Sequence, residues 1–156
     1  MIALPQVLVA TDFSPSSDGA LTYGRALART LNGSLHLVHV CRFDWLGQRG
    51  GEPEILLSAA RRALANWTND MASGGHSERA VIKVSDDPAE AIVAYACAAG
   101  MDVIVLGARG THAHSDRPVG SVAESVLRMA PCTVFCVHGV REAAPYRERS
   151  VRSRAA

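Results

Sequence analysis

The chain alternates between two hydrophobic patterns, short apolar runs and longer stretches in which apolar residues recur every three or four positions. The apolar runs predict five strands, at residues 7–10, 34–40, 78–84, 102–106 and 132–137. The periodic stretches predict four helices, which begin after Ser14 or Ser16, at about 54, after Asp86 or Asp87 and at about 119, and end at Asn32-Gly33, about 71, Gly100 and Met129. This order predicts the α/β class, a doubly wound parallel sheet with right-handed crossovers and helices on both faces.

The length and composition favour one domain followed by a tail. With 156 residues, 48% of them hydrophobic, the chain can bury a single contiguous core. We predict that this domain spans residues 1–138. Residues 139–156 carry five arginines, two glutamates and almost nothing to bury, so we predict a basic, disordered tail.

Net charge and the first residues bear on partners and location. Sixteen basic side chains nearly balance fifteen acidic ones, and the formal charge of +1 gives no general attraction to nucleic acid or a membrane. The N-terminus lacks a basic segment, and Pro5 and Asp12 interrupt its apolar run, which argues against a signal peptide or a spanning helix. We therefore expect a cytoplasmic protein that binds neither nucleic acid nor membranes.

The four cysteines give no signal for a metal site or a disulfide. They form no CxxC pair, and they lie among apolar residues, as small hydrophobic side chains do. We interpret all of them as reduced thiols in the core: Cys41, Cys97, Cys132 and Cys136.

The candidate chemistry lies in a glycine-spaced segment after the fourth predicted strand, GARGTHAHSDRPVGSVAESV. In doubly wound sheets, ligands bind beyond the carboxyl ends of the strands, and a phosphate must approach backbone N–H groups closely. Gly107, Gly110 and Gly120 would permit that approach. The N–H groups of Ser121 and Val122 would point out of the helix start, where the helix dipole favours anions. Glycine counts alone favour a simpler interpretation, in which these residues only end a strand and begin a helix, but their placement favours a phosphate-binding turn.

Two familiar nucleotide fingerprints are missing, since there is no GxxxxGK[ST] and no GxGxxG after the first strand. Three other segments carry a family resemblance: VLVATDFSPSSDGAL, DDPAEAIVAYACAAGMDVIVLGARG and GSVAESVLRMAPCTVFCV. Over roughly residues 5–138 the chain resembles the universal stress proteins, and the spacing G-x2-G-x9-G-S from Gly107 to Ser121 is the pattern of that family's ATP-binding members. The resemblance implies a Rossmann-like fold of the adenine nucleotide α-hydrolase type with strand order 3-2-1-4-5, and ATP with magnesium as the ligand.

The resemblance also assigns contacts to matched positions of this sequence. The residues implied to border adenine and ribose are Ala10, Asp12 and Val40. The residues implied to meet the phosphates are Gly107, Arg109, Gly110, Ser121 and Val122, with Gly120 permitting the close approach. From the residue type alone, Asp12 at a strand end can accept ribose hydroxyl bonds or hold magnesium, but it can equally cap the next helix.

The spacer between the glycines, THAHSDRPV, is more polar than in many universal stress proteins. His112, His114 and Asp116 could bind a metal in principle, but two histidines and a carboxylate in a loop are a weak signal. We interpret the spacer as a solvated loop and expect no metal site of its own. Arg109 and Arg117 could each pair with phosphate oxygens. Arg109, between two glycines, is the stronger candidate, and for Arg117 a surface arginine is the simpler interpretation.

No catalytic residue is predicted, because no nucleophile has an adjacent base and no paired acidic motif is present. The favoured hypothesis is a regulatory ATP-binding stress protein with an unidentified protein partner. Two alternatives stay open, an interaction module that has lost ATP binding and an ATP-hydrolysing enzyme, although the SGGxDS-type loop of related enzymes is absent. The apolar last strand, Cys132 to Val137, is predicted at a sheet edge, and the resemblance implies a homodimer through it.

Overall fold

The protein is described here by a computed structural model, which covers residues 4–42, 53–69, 77–110 and 119–138. The strands are β1 (Gln6–Thr11), β2 (Ser34–Cys41), β3 (Glu78–Val84), β4 (Val103–Gly107) and β5 (Thr133–Val137). The helices are α1 (Pro15–Thr30), α2 (Pro53–Asn69), α3 (Pro88–Ala99) and α4 (Ser121–Met129). All the paired strands are parallel, in the order β3-β2-β1-β4-β5. The predicted fold class and strand order are confirmed.

Each face of the sheet is covered by its own helices and has its own core. On one face α3 and α4 pack on the sheet around Leu8, Val38, Ile104, Ile92 and Val126. On the other, α1 and α2 enclose a second cluster: Val7, Val9, Leu35, Leu37, Ala20 and Leu64. The central strands are apolar on both sides for this reason, which is the pattern expected of buried parallel strands.

Two helix starts are fixed by the capping residues that the sequence suggested. Ser14, one of the two candidates, caps α1 by accepting the Ser17 N–H, and Asp87 caps α3 by accepting the Glu90 N–H. A proline follows each cap, in the first turn where its missing N–H costs nothing. The end of α3 is also as predicted, because Gly100 adopts a left-handed conformation with φ of 63°.

The element boundaries differ from prediction by one or two residues at several ends. Gly107 was expected directly after β4 but is its last residue, paired with Val137 of β5. Helix α4 was expected from about 119 but begins at Ser121, with Gly120 as its N-cap. The predicted end of the second helix, at about 71, lies outside the described residues.

The cysteines are free thiols, as predicted. Cys132 and Cys136 are partly buried and pack against the core of one face, as expected, and Cys41 is partly buried at the end of β2. The placement of Cys97 in the core was wrong, because it is exposed on α3 in spite of its apolar neighbours in sequence.

Two further expectations concern a membrane-spanning helix and the C-terminal tail. Within the described ranges, no helix has the length and apolar character needed to cross a membrane. The predicted tail, residues 139–156, lies outside the part of the chain that the structure describes.

Candidate functional site

The site lies where the chain leaves the two central strands in opposite directions. After β1 the chain enters α1 on one face, and after β4 it leads to α4 on the other. The strands run level at this edge, since Ala10 pairs with Leu106 in register. Diverging crossovers open a crevice at the carboxyl ends of such strands, the usual ligand position in open α/β sheets.

The turn from β1 into α1 fixes the carboxylate of Asp12. Its Oδ1 accepts hydrogen bonds from the Ser14 N–H and the Ser17 hydroxyl, each at 3.1 Å. Asp12 therefore does not cap α1, which was the alternative interpretation, because Ser14 takes that position. Its carboxylate is instead held in place at the mouth of the crevice.

Phe13 connects Asp12 to the helix through a left-handed backbone, with φ of 61°. This region is unfavourable for a residue other than glycine, by about 1–3 kcal/mol, and such strain tends to occur at functional sites. The Phe13 N–H donates to the Thr11 hydroxyl at 2.9 Å. Its ring packs 4.5 Å from the His39 ring and 5.5 Å from the Trp67 ring, between centroids. These contacts offset the strain and define the direction of the turn.

Gly110 brings the β4 end of the site against Asp12. A Cβ added at Gly110 would lie 2.6 Å from Asp12 Oδ2, so only glycine leaves the carboxylate where it is. The nearest atom is the end of a side chain rather than backbone, and a larger residue would displace the carboxylate without opposing the fold. The absence of a side chain at Gly110 thus shapes the site itself.

Gly107 lies where β4 meets the first turn of α1. A Cβ there would lie 2.8 Å from Ser16 Cβ and 2.9 Å from its carbonyl carbon. Gly107 therefore permits the close approach of β4 to the first turn of α1. Its lack of a side chain matters for packing.

Gly120 holds the start of α4 next to the same turn. Its N–H donates to the Ala108 carbonyl at 2.7 Å, and the Ala108 N–H donates to the Val137 carbonyl at 2.8 Å. A Cβ at Gly120 would contact Ala108 O, Gly110 N and Arg109 Cα at 3.5–3.7 Å, an ordinary packing distance. The two glycine turns are therefore adjacent, although nine residues lie between Gly110 and Gly120 in sequence.

The N-cap of α4 is Gly120, which has no side chain to cap the helix, and no cap bond is seen from it within the described ranges. Ser121 and Val122, the first residues of the helix, are both exposed. The N–H groups of a first helical turn lack intrahelical acceptors, and the helix dipole adds partial positive charge there. This helix start can therefore accept an anion through its backbone.

Arg109 lies between the glycines and is half-buried. Its Nε is buried and has no hydrogen-bond partner among the described residues. Leaving such a donor unsatisfied costs about 1–3 kcal/mol or more when the group is charged. A buried guanidinium nitrogen without a partner in the fold is suited to an anionic ligand.

Ala10 and Val40 lie on the face of the sheet that α3 and α4 cover. Ala10 is buried and Val40 is partly buried, on neighbouring strands. They form an apolar floor beside the polar turns. Seven of the nine predicted residues lie on or beside the adjoining turns: Asp12, Arg109, Gly110, Gly120, Ser121, Val122 and Gly107, the last facing α1 instead.

His39 of β2 supports the β1 turn on the face of the sheet that α1 and α2 cover. Its Nδ1 lies 2.8 Å from the Thr11 carbonyl, and the neutral ring donates to it there. Burial lowers the pKa of His39, although the Thr11 carbonyl and the Asp12 charge act to raise it. The neutral form, which burial favours, keeps the Phe13 ring in contact with an uncharged neighbour.

The hydroxyl network under Asp12 was missed in the sequence. Thr11, Ser14 and Ser17 are all buried polar residues, and they connect β1 to α1 through side-chain bonds. The segment TDFSPSSD contained the signal, as a cluster of hydroxyls around one carboxylate. The left-handed Phe13 had no such signal.

Metal binding by side chains alone finds no support in the described ranges 4–42, 53–69, 77–110 and 119–138. Within them no three histidine, cysteine or acidic residues are grouped to hold an ion. The weak candidates His112, His114 and Asp116, and the surface assignment of Arg117, lie outside the described residues.

A doubly wound sheet with an uncapped helix start at its switch point is an architecture that α/β proteins use to bind anionic ligands. Residues 4–138 match the sequence profile of the Universal stress protein family, and the chain belongs to that family. A universal stress protein of Thermus aquaticus, encoded 3′ of a QAH/OAS sulfhydrylase, is 32% identical over 133 residues, 84% of this chain and 96% of its own.

Solved structures of the same family share the fold. Universal stress protein UspA from Lactobacillus plantarum is 25% identical with a TM-score of 0.73, over 88% of this chain and 99% of its own. A universal stress protein solved in complex with cAMP is 25% identical with a TM-score of 0.65, over 89% and 100%. The Archaeoglobus fulgidus protein solved in complex with dAMP is 23% identical with a TM-score of 0.65, over 88% and 99%. Some structural neighbours thus bind adenine nucleotides.

Proposed function

We propose that this protein binds ATP with magnesium at the crevice between β1 and β4 and acts as a regulatory stress-response protein. One observation carries the proposal. The backbone of Arg109 lies beside Gly120, the N-cap of α4, and the Arg109 Nε is buried with no partner among the described residues. An anion at this point would satisfy backbone donors and a guanidinium donor at once.

The phosphate contacts follow from the two adjoining turns. The backbone of Gly110 and the N–H groups of Ser121 and Val122 would face the phosphates, and Arg109 would supply the positive charge. Gly120 adds no side chain that would block access to the helix start. Gly107 would contribute indirectly, by letting β4 approach α1 closely.

Magnesium enters the proposal through Asp12. The carboxylate lies against Gly110, where a phosphate would also bind. Two unit charges 4 Å apart repel by about 4 kcal/mol at the effective dielectric of a protein surface, so a cation between them is required. A carboxylate oxygen and phosphate oxygens are the ligands that magnesium prefers. The ion would neutralise the pair, and Asp12 would orient it.

The adenine would lie on the apolar side of the crevice, over Ala10 and Val40. These residues lie on neighbouring strands and offer an uncharged surface to a planar base. The universal stress proteins solved with cAMP and with dAMP support an adenine nucleotide as the ligand class. ATP is proposed rather than a monophosphate because the anion-binding groups extend from Gly110 to the α4 start.

The nucleotide is proposed as a bound effector, and the protein as cytoplasmic, with its regulatory partner still to be identified. The hydroxyl that bonds to the Asp12 carboxylate is that of Ser17, which is only 2% exposed and therefore out of reach of a substrate. Asp12, the acidic residue of the site, has its Oδ1 engaged by Ser14 and Ser17.

The experiment is an equilibrium titration by calorimetry, with purified protein, Mg-ATP, ATP in EDTA, cAMP and AMP. Saturable binding of one Mg-ATP per chain supports the proposal, and weaker binding in EDTA supports the role of magnesium. Native mass spectrometry of the protein as purified identifies any nucleotide already bound. Absence of binding to every adenine nucleotide would refute the function and favour an interaction module.

The proposed assembly is a homodimer through β5 and Cys132, the edge strand opposite β3. This strand is partly buried and carries no charged residue between Thr133 and Val137. On the α1 side, Tyr23 is 43% exposed and packs 5.4 Å from the Phe135 ring. An apolar edge with an exposed aromatic neighbour favours pairing with a second copy.

The dimer is tested by sedimentation equilibrium of two matched variants. Tyr23→Glu places a charge beside β5 and should shift the protein to monomer. Leu31→Glu changes a similarly exposed apolar residue, 40% exposed at the other end of α1, and should leave the dimer intact. A monomeric wild-type protein would contradict the proposed assembly without affecting the nucleotide proposal.

A further inference from the structure

The two oxygens of Asp12 have different surroundings, and this difference points beyond the residues assigned above. Oδ1 faces the start of α1 and accepts from Ser14 N–H and Ser17 Oγ–H. Oδ2 faces Gly110, with a Cβ built there only 2.6 Å away. Oδ1 thus bonds to the start of α1, and Oδ2 lies against the turn where phosphate is proposed to bind.

The Ser17 hydroxyl is itself held in a chain of hydrogen bonds. The Phe13 N–H donates to Thr11 Oγ1 at 2.9 Å, and the Thr11 hydroxyl donates to Ser17 Oγ at 3.2 Å. With that lone pair occupied, the Ser17 hydrogen is directed to Asp12 Oδ1 at 3.1 Å or to the Ser14 carbonyl at 2.9 Å. The carboxylate is the stronger acceptor because it is charged.

The Ser17 side chain is not needed to cap α1. The cap is made by the backbone N–H of Ser17, which donates to Ser14 Oγ and to the Ser14 carbonyl. Removing the hydroxyl leaves both of these bonds in place. Ser17 is only 2% exposed, so its hydroxyl cannot contact a ligand directly. Its hydroxyl also contacts Thr11 and Ser14, and the bond to Asp12 Oδ1 is the one that reaches the crevice.

We propose that Ser17 is the positioning residue that fixes the Asp12 carboxylate so that Oδ2 can hold the divalent cation of a bound nucleotide. The inference rests on the proposed function. It adds that magnesium dependence is set from inside α1, by a hydroxyl that touches neither cation nor nucleotide. A hydrogen bond from a neutral donor to a charged group contributes enough to change affinity several-fold when lost.

The test compares four full-length proteins by calorimetric titration with Mg-ATP and with ATP in EDTA: wild type, Ser17→Ala, Ser17→Cys and Thr22→Ala. Thr22 is the matched control, because its hydroxyl also bonds to a backbone carbonyl of α1, that of Asp18, and is exposed. Cysteine fills the space of the serine but donates only weakly. Thermal unfolding of each variant gives the fraction folded.

Ser17→Ala is expected to weaken Mg-ATP binding by about 5- to 10-fold and to leave ATP binding in EDTA nearly unchanged. Any fall in the thermal unfolding midpoint of Ser17→Ala should be recovered in Ser17→Cys, whereas the Mg-ATP affinity should stay low. Thr22→Ala should match wild type in both measurements. Wild-type affinity in Ser17→Ala, or an equal loss with and without magnesium, overturns the positioning role alone. No ATP binding by the wild type overturns the proposed function, and this inference with it.

Discussion

The starts of α1 and α3 differ from the start of α4 in the residue at the N-cap, which carries a capping side chain in the first two and is glycine in the third. Ser14 caps α1 and Asp87 caps α3, so at each of these helix starts a side chain accepts a hydrogen bond from a first-turn backbone N–H. Helix α4 begins at Gly120, which offers no side chain, and Arg109 beside it keeps a buried nitrogen without a partner among the described residues. A helix start whose N-cap residue has no capping side chain leaves backbone donors that a ligand can bind.

The glycines of this segment divide in the same way. Gly110 and Gly120 border the crevice, and a side chain at either would enter the site or its rim. Gly107 faces Ser16 of α1, and a side chain there would enter the core packing. A single spacing pattern therefore contains two kinds of glycine, which substitutions can tell apart.

The largest effect is expected from Gly110→Val. The branched side chain would displace the Asp12 carboxylate and fill the proposed phosphate position, so Mg-ATP affinity should fall by at least about 100-fold, or about 2.7 kcal/mol. Calorimetric titration measures the loss, and circular dichroism checks that the fold is kept. Unchanged affinity in a folded variant would mean that the phosphates bind elsewhere.

Gly107→Ala should instead lower stability. Its Cβ would lie within 2.9 Å of Ser16, including a backbone atom that cannot move freely. Overpacking of this kind costs about 1–3 kcal/mol of unfolding free energy. Urea denaturation measures it, with Gly120→Ala as the control, since a Cβ at Gly120 meets nothing closer than 3.5 Å. Equal stability of the two variants would remove the distinction between the glycines.

Asp87→Ala removes the side-chain cap of α3, one of the two capped helix starts. Loss of the bond from Glu90 N–H should lower the unfolding free energy by about 1 kcal/mol. Mg-ATP affinity should stay at the wild-type value, because α3 contributes no residue to the proposed phosphate turn. A parallel fall in affinity would show that helix stability in general, rather than the α4 start, controls binding.

The smallest effect expected is a pH dependence through His39. Its pKa in the folded protein is lowered mainly by burial, so below about pH 6.5 the unfolded chain binds more protons than the folded one. The unfolding free energy should therefore fall as the pH is lowered through that value. His39→Asn keeps a donor for the Thr11 carbonyl and should show a flatter profile in urea denaturation. A wild-type profile no steeper than that of the variant would show that His39 is not the group responsible.

Much of this arrangement could be predicted from sequence, for reasons that are local. The apolar runs and the caps at Ser14 and Asp87 predict their elements because each signal lies within a few residues of its effect. The approach of Gly110 to Asp12 and the contact of Gly107 with Ser16 join segments about ninety residues apart, and no local pattern encodes them. The left-handed Phe13 was equally hidden, because rings from β2 and α2 stabilise it.

The central claim, that the uncapped start of α4 binds the nucleotide phosphates, is tested most directly by giving that helix a cap. Gly120 has φ of −74° and ψ of 159°, a conformation that serine and aspartate adopt as N-caps, and its surroundings admit a Cβ. Calorimetric titration of Gly120→Asp should show Mg-ATP affinity lowered by at least about 100-fold with no loss of unfolding free energy, and Gly120→Ser should lie between it and wild type. Wild-type affinity in a stably folded Gly120→Asp protein would contradict the account.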